Sequence, residues 1–215
     1  MSKSPLIVDM HSHFFPETWP DLAEKFGTPD WPWMKHHGDG KATVMVGDKE
    51  FRPIYSGCWD VSKRLEEMDL FGIEFAVLSL NAPAVQEVLD VEGAVALAQQ
   101  TNDMLAEQVA RHPSRFAGLG ALPLQDPDAA ITELHRCVND LGFVGVNVNG
   151  FSQKEEEYSH LYYDLPEYRP FWAEVEKLGV PFYMHPRNPL TDHMPMYDGH
   201  PWLTYATWAF AMETS

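Results

Sequence analysis

Short apolar runs alternate with longer amphipathic stretches along most of the 215-residue chain. Runs rich in β-branched residues predict buried strands, and stretches with apolar residues at helical spacing predict helices. The predicted strands are 6–13, 73–80, 115–122, 143–148 and 180–185. The predicted helices are 60–71, 90–112, 127–141 and 169–178, and residues 201–215 predict the start of a fifth helix.

Capping residues mark the ends of several predicted helices. Asp60 has the short acceptor side chain of an N-cap, and Gly72 follows the last position of the same helix. Pro113 ends the long helix 90–112, and Gly142 ends helix 127–141. These signals support the alternation of strands and helices independently of the apolar pattern.

The stretch between the first strand and the first long helix differs from the rest. Residues 14–41 are rich in proline and tryptophan and lack clean periodicity, whereas residues 43–51 predict a small hairpin that turns at Gly47-Asp48. We therefore expect residues 14–59 to form an insertion within a single domain, 1–215.

Five alternations of strand and helix, with strands that are apolar on both faces, indicate parallel βαβ units and an α/β fold. A doubly wound open sheet and a (β/α)8 barrel both fit this pattern. The glycine-rich dinucleotide loop that would follow the first strand is replaced by His11-Ser12-His13, which disfavours nucleotide binding. Both architectures collect ligands at the carboxyl ends of their strands.

Composition narrows the possible partners. The formal net charge of −17 argues against binding to nucleic acid or an anionic membrane surface. Cys58 and Cys137 are far apart, which predicts reduced, buried thiols and a cytoplasmic protein. We expect neither secretion nor membrane insertion, because no charged-then-apolar leader opens the chain and no apolar run approaches membrane-spanning length.

Three histidines fall at predicted strand ends. His11 and His13 are two residues apart, so a strand directs both side chains to one face. His185 ends the fifth predicted strand, at the equivalent position. Three imidazoles at one edge would supply most of a divalent metal site with an open position for water or substrate. His193 and His200 fall in loops, where we expect solvent-facing or substrate-loop roles.

Long motifs carry a resemblance to the metal-dependent decarboxylases of the amidohydrolase superfamily, which are (β/α)8 barrels. The amino-terminal part is similar to aminocarboxymuconate-semialdehyde decarboxylases, and the remainder is more similar to γ-resorcylate (2,6-dihydroxybenzoate) decarboxylases. The amino-terminal motifs are DMHSHFFP at 9–16 and EFRPIY at 50–55. The later motifs are LSLNAPAVQ at 78–86, ALPLQDPD at 121–128, NGFSQ at 149–153, HPRNP at 185–189, GHPW at 199–202 and TWAFA at 207–211.

The resemblance implies functions for particular residues. It implies that His11, His13 and His185 coordinate a zinc or manganese ion and that Arg52 binds the substrate carboxylate. A guanidinium group suits that task because it matches a carboxylate bidentately. Asn149 follows the fourth predicted strand and either contacts substrate or makes a turn. The implied reaction is non-oxidative decarboxylation of an aromatic or dienoic acid, such as a dihydroxybenzoate, by a homo-oligomer.

The resemblance also implies parts that this chain does not supply. Family members have eight strands, and their proton-donating histidine and an aspartate ligand match positions beyond Ser215. We therefore expect a fragment, or a truncated protein that covers its sheet edges with a partner. Two other functions stay open: a hydrolase that uses a metal-bound hydroxide, and an inactive half-barrel that serves as an interaction subunit.

Overall fold

The computed structural model describes residues 6–26, 31–204 and 207–214, with the backbone alone for 156–158, 191, 213 and 214. The strands in these ranges are β1 Val8–Phe14, β2 Pro32–Gly38, β3 Lys41–Val46, β4 Lys49–Tyr55, β5 Phe75–Leu80, β6 Phe116–Gly120, β7 Gly145–Asn149, β8 Ser152–Lys154, β9 Glu156–Leu161 and β10 Phe182–His185. The helices are α1 Ala23–Phe26, α2 Val61–Phe71, α3 Val91–Arg111, α4 Pro127–His135, α5 Arg169–Leu178 and α6 Ala209–Thr214.

A parallel sheet of five strands, in the order β1-β5-β6-β7-β10, forms the centre of the fold. The connection from β1 to β5 contains α1, the strands β2, β3 and β4, and then α2. The next three connections contain α3, α4 and α5 in chain order. This arrangement confirms the predicted α/β class and the five strand–helix units.

The sheet curls so far that side chains from its two edge strands meet. Four strand spacings would separate β1 from β10 by about 19 Å in a flat sheet. Instead, Nδ1 of His11 on β1 lies 2.6 Å from the hydroxyl of Tyr183 on β10. The sheet therefore forms half of a barrel rather than a doubly wound open sheet.

The edge strands are more exposed than predicted. The sequence predicted a buried first strand, but Val8, Met10 and His11 are exposed, and Tyr183 and Met184 on β10 are exposed as well. The prediction was wrong because β1 and β10 each have a neighbouring strand on one side only. The central strands β6 and β7, by contrast, are buried at every position.

The predicted helix ends agree with the structure in most places. Asp60 caps α2 by accepting hydrogen bonds from the backbone N–H groups of Ser62 and Lys63 at 2.8 and 3.2 Å. Gly72 ends α2 with a φ of +71°, in the left-handed region that favours glycine. The third predicted helix, 127–141, differs from the structure. There α4 ends at His135, and a π-helical turn follows from Arg136 to Asp140.

Two small antiparallel sheets flank the parallel one. The hairpin predicted at Gly47-Asp48 is confirmed as β3–β4, and β2 adds a third strand that the sequence did not predict. The β8–β9 hairpin was also missed, because residues 152–161 carry no alternating apolar pattern. The extent of the insertion, residues 14–59, stays a prediction.

The carboxyl-terminal helix is shorter than predicted. Within the predicted range 201–215, Pro201–Leu203 forms a single 3-10 turn and helix begins only at Ala209. Residues 205, 206 and 215 of that range lie outside the described residues. Among the described helices, none has both the length and the apolar character needed to cross a membrane.

The apolar core lies mainly between the sheet and its helices. One cluster gathers side chains of β5, α3 and the segment after β1, and a second gathers side chains of β7, α4 and α5. Cys137 belongs to the first cluster and is fully buried, and burial raises the pKa of its thiol. Cys58 is half-buried, so the prediction of two buried thiols holds for Cys137 alone.

A buried polar cluster ties α3 and α4 to the end of β6. Asn102 on α3 donates to the carbonyl of Ala121 at 2.9 Å and to Oε1 of Glu133 at 2.6 Å. Its own Oδ1 accepts from the N–H of Ala121 at 2.8 Å. Arg136 pairs with the Glu133 carboxylate at 2.8 Å, so the buried charge is compensated.

Replacement of Asn102 by leucine tests this cluster. Asn102→Leu leaves both backbone groups of Ala121 without their side-chain partner, and buried groups without partners are costly. We expect the free energy of unfolding to fall by about 2–4 kcal/mol. Urea unfolding followed by circular dichroism measures the change. Gln100→Leu, at an exposed position of the same helix, is the control and should change it by less than about 0.5 kcal/mol; equal effects of the two substitutions would contradict the assignment.

Candidate metal centre

The three predicted ligands come together at the carboxyl ends of β1 and β10. One nitrogen from each of His11, His13 and His185 lies within 4.8 Å of the other two. The Nε2 atoms of His11 and His13 are 3.1 Å apart. Two nitrogens that each lie about 2.1 Å from one ion, at an angle between 90° and 109°, are about 3.0–3.4 Å apart. The observed spacing therefore fits a shared ion.

A β-bulge between Asp9 and Ser12 includes His11 and lies directly before His13. Asp9 pairs with Ala76 and Ser12 with Leu78, so three steps along β1 match two along β5. Bulges re-aim side chains and are frequent beside functional sites. The bulge is held locally, because the N–H of His11 donates to Oδ1 of Asp9 at 3.0 Å.

Each imidazole contacts a different polar side chain through its Nδ1 atom. The partners are the hydroxyl of Tyr183 for His11 at 2.6 Å, Oγ of Ser79 for His13 at 3.0 Å, and Oδ1 of Asn149 for His185 at 3.0 Å. With Nδ1 engaged, the Nε2 atoms remain for a metal. Hydrogen bonds of this kind fix the orientation and tautomer of metal-ligating histidines.

The environment keeps the imidazoles of His13 and His185 neutral. Burial, followed by repulsion from His185 and His11, lowers the pKa of His13 to about 3. Burial and repulsion from His11 lower the pKa of His185 to about 4. A neutral imidazole has the lone pair that metal coordination requires.

An arginine on α2 clamps the backbone of the His11-Ser12-His13 segment. Nη1 of Arg64 donates to Oγ of Ser12 at 2.9 Å, and Nη2 donates to the carbonyl oxygen of His13. Burial lowers the pKa of Arg64. The contact joins the first helix of the barrel to the strand that carries two of the three candidate ligands.

A cavity of about 400 Å³ opens beside the three histidines. Its other lining residues are Phe51, Arg52, Asn81, Ala82, Glu87, Pro186, Arg187, Asn188 and Phe210. The positive charge of Arg52 contributes to the lowered pKa values of His13 and His185. Arg52, exposed on β4, therefore lies near the cluster and can offer its charge to an anion in the cavity.

A second arginine on the cavity wall is held more firmly. Arg187 is buried, with its guanidinium carbon 3.9 Å from the ring centroid of Phe151. It donates to the carbonyl of Phe151 at 2.7 Å and to Oε1 of Gln153 at 2.8 Å, and Glu87 lies 3.7 Å away. Its charge is thus largely committed to the protein, unlike that of Arg52.

Asn149 has a different environment from the one expected. It is the last residue of β7 rather than the residue after it, and its side chain is 3% exposed. The described lining of the cavity does not include it. Its contact with His185 favours an orienting role, and its proposed contact with substrate stays a prediction.

The sequence analysis missed the residues that support the ligands. Tyr183 is two residues before His185 on a strand, so the spacing rule that linked His11 to His13 could have found it. Ser79 stands near the carboxyl end of its strand, again a recognisable position. His193 and His200 are outside the described cavity lining. His200 lies in a loop as predicted, whereas His193 falls within a 3-10 helix, Thr191–Tyr197.

Comparison with known proteins places this geometry in a family. The amidohydrolase family model matches residues 8–206. A γ-resorcylate decarboxylase of Rhizobium radiobacter is 64% identical over 152 residues, which cover 71% of this chain and 46% of the relative. The chain thus spans about half the length of this curated relative.

Two solved structures have the same architecture. A 2,6-dihydroxybenzoate decarboxylase complexed with 2,6-dihydroxybenzoate superposes with a TM-score of 0.76 and 48% identity, over 98% of this chain and 59% of that one. A dihydroxybenzoic acid decarboxylase from Polaromonas sp. JS666, with bound manganese and the inhibitor 2-nitroresorcinol, gives a TM-score of 0.77 and 45% identity, over 98% and 58%. The chain, with its half-barrel sheet and its histidine cluster at the strand ends, belongs to the amidohydrolase family.

Proposed function

We propose that this chain carries the metal- and carboxylate-binding part of a divalent-metal decarboxylase that acts on an aromatic acid. The observation that carries the proposal is the convergence of three imidazoles, each anchored through Nδ1, beside a cavity that Arg52 lines. Similarity to γ-resorcylate and 2,6-dihydroxybenzoate decarboxylases supports the reaction and the substrate class.

In this proposal His11, His13 and His185 hold a zinc or manganese ion through Nε2. Three imidazole nitrogens suit zinc. The bound manganese of the similar Polaromonas structure supports manganese as the other ion. The bound ion would supply Lewis-acid polarisation and a template for substrate oxygens.

The remaining groups position the acid. Arg52 binds the substrate carboxylate, and Phe51 and Phe210 supply apolar walls for a ring. The predicted contact of Asn149 with substrate requires the substrate to reach the Asn149 amide from the cavity. In the net reaction a proton replaces carbon dioxide on the ring carbon, and the resemblance assigns the proton donor to positions beyond Ser215.

We also infer a cytoplasmic homo-oligomer. An acidic chain with two widely separated thiols suits the cytoplasm, and the family resemblance favours a homo-oligomer. Net negative charge disfavours nucleic acid and anionic membranes as partners.

Product analysis tests the reaction. The 215-residue chain and a longer form that carries the second half of a barrel are loaded with zinc or manganese and incubated with 2,6-dihydroxybenzoate. We expect carbon dioxide and 1,3-dihydroxybenzene from the longer form, and none from the shorter one, because the proton donor is assigned to the second half. Failure of the metal-loaded longer form to release carbon dioxide from any dihydroxybenzoate would remove the decarboxylase proposal. Hydrolysis of an ester, lactone or amide instead would favour the hydrolase alternative.

Removal of one ligand tests the metal site without turnover. His13→Asn removes one of three nitrogen donors, and we expect the affinity for zinc to fall by more than about 100-fold. Competition with a chromophoric chelator measures the dissociation constant. His36→Asn is the matched control, because His36 is exposed on β2 and its Nε2 lies 3.1 Å from the carbonyl of Glu17. Equal affinities of the two variants would contradict the assignment.

Two small molecules, one with a carboxylate and one without, test the role of Arg52. Arg52→Met removes a charge-assisted contact worth about 1.5–3 kcal/mol, so 2,6-dihydroxybenzoate should bind about 10–100-fold more weakly. Binding of 1,3-dihydroxybenzene, the same ring without the carboxylate, should stay within about twofold. Calorimetry on the metal-loaded protein gives both constants. Lys49→Met, on the same strand but outside the cavity lining, should change neither; a parallel loss of both ligands in Arg52→Met would point to general damage.

A further inference from the structure

Two buried amide side chains, each in contact with the next, support the imidazole of His185. Asn149 contacts Nδ1 of His185 through Oδ1 at 3.0 Å, and Gln86 contacts Asn149 in turn. Gln86 is 1% exposed and belongs to the 3-10 turn after β5. It contacts no candidate ligand directly and is outside the described cavity lining. It therefore takes no part in the metal and substrate binding proposed above.

The orientation of the Gln86 amide is fixed at its far end. Nε2 of Gln86 donates to the carbonyl oxygen of Leu122 at 2.6 Å. A carbonyl oxygen only accepts, so the nitrogen of Gln86 must face Leu122 and its oxygen must face Asn149. That oxygen accepts from the backbone N–H of Asn149 at 3.3 Å and from Nδ2 of Asn149 at 3.4 Å.

The same reasoning fixes Asn149 and then His185. Oε1 of Gln86 only accepts, so an Asn149 oxygen at 3.4 Å would repel it, whereas Nδ2 can donate to it. Nδ2 of Asn149 therefore faces Gln86, and Oδ1 faces His185. Oδ1 only accepts, so Nδ1 of His185 must carry the hydrogen. The lone pair is then on Nε2, the atom left for the metal.

The opposite orientation of Asn149 would have the opposite result. With Nδ2 towards His185, Nδ1 of the imidazole would have to accept, and Nε2 would carry the hydrogen instead. That tautomer has no lone pair to offer at Nε2. The backbone of Asn149 is already held, because its carbonyl accepts from the hydroxyl of Tyr163 at 2.8 Å. The amide orientation of Asn149 therefore favours the tautomer that has hydrogen on Nδ1.

We propose that Gln86 is a positioning residue that sets the tautomer of His185 through the amide of Asn149, and so prepares Nε2 for the ion. The proposal rests on the proposed metal site, but the tautomer of His185 can be measured without a bound ion, because it exists in the metal-free protein. Supporting hydrogen bonds of this type typically change metal affinity by about 10–100-fold.

Nitrogen NMR of the metal-free protein, labelled with ¹⁵N-histidine, tests the proposal. The signals of His185 are assigned by their loss in His185→Asn. We expect the hydrogen on Nδ1 in the wild-type protein. Gln86→Met keeps the length of the side chain but removes its amide. We therefore expect a mixture of both tautomers of His185 and a dissociation constant for zinc about 10–100-fold higher.

Three further variants separate positioning from packing. Gln125 is also a buried amide, 2% exposed, and donates to the carbonyls of Val85 and Val88 instead, so Gln125→Met should keep the wild-type tautomer and zinc affinity. Asn149→Asp added to Gln86→Met should restore hydrogen on Nδ1, because either carboxylate oxygen accepts. Gln86→Glu keeps an oxygen towards Asn149, and as a protonated acid it still donates to the carbonyl of Leu122, so it should retain the wild-type tautomer. This variant decides the question if Gln86→Met does not fold.

Several results would overturn the proposal. These are hydrogen on Nε2 of His185 in the wild-type protein, an unchanged tautomer in Gln86→Met, a changed one in Gln86→Glu, or equal losses in Gln86→Met and Gln125→Met. A wild-type protein that has hydrogen on Nδ1 yet binds neither zinc nor manganese would instead remove the metal site of the proposed function and leave the amide relay standing.

Discussion

The hydroxyl of Tyr183 lies 2.6 Å from the imidazole of His11, although these residues come from opposite edges of a five-stranded sheet. Only a strongly curled sheet allows this contact, and the convergence of His11 and His13 with His185 depends on the same curl. Right-handed twist of the strands and helices packed on the outer face produce such curvature. The geometry of the candidate metal centre is therefore a property of the whole sheet.

The candidate ligands are supported from several elements at once. Ser79 on β5, Asn149 on β7 and Tyr183 on β10 each hold one Nδ1 atom, while Arg64 on α2 holds the backbone between His11 and His13. Such support reduces the freedom of each ring before any ion binds, and precise sites depend on it. The cavity beside the rings combines this ordered wall with the exposed charge of Arg52.

Much of this arrangement could be predicted from the sequence because its signals are local. The His-x-His spacing, the terminal position of His185 and the caps at Asp60 and Gly72 each depend on a few neighbouring residues. The exposure of β1 could not be predicted in this way, since it depends on strand order. The β2 strand and the β8–β9 hairpin were missed for lack of periodicity. The contact of Asn149 with Gln86, 63 residues away, could not be predicted, because the fold and not the local sequence brings the two amides together.

The meeting of β1 and β10 has a consequence for folding. An ion shared by His13 and His185 would act as a clip between the first and the last strand of the sheet, closing a loop of most of the chain. Cross-links over long loops remove much entropy from the unfolded ensemble, and a ligand that binds only the native state stabilises it by mass action. The ion would thus favour the bent sheet over flatter, more aggregation-prone conformers, so that the fold and its cofactor would assemble as one cooperative unit.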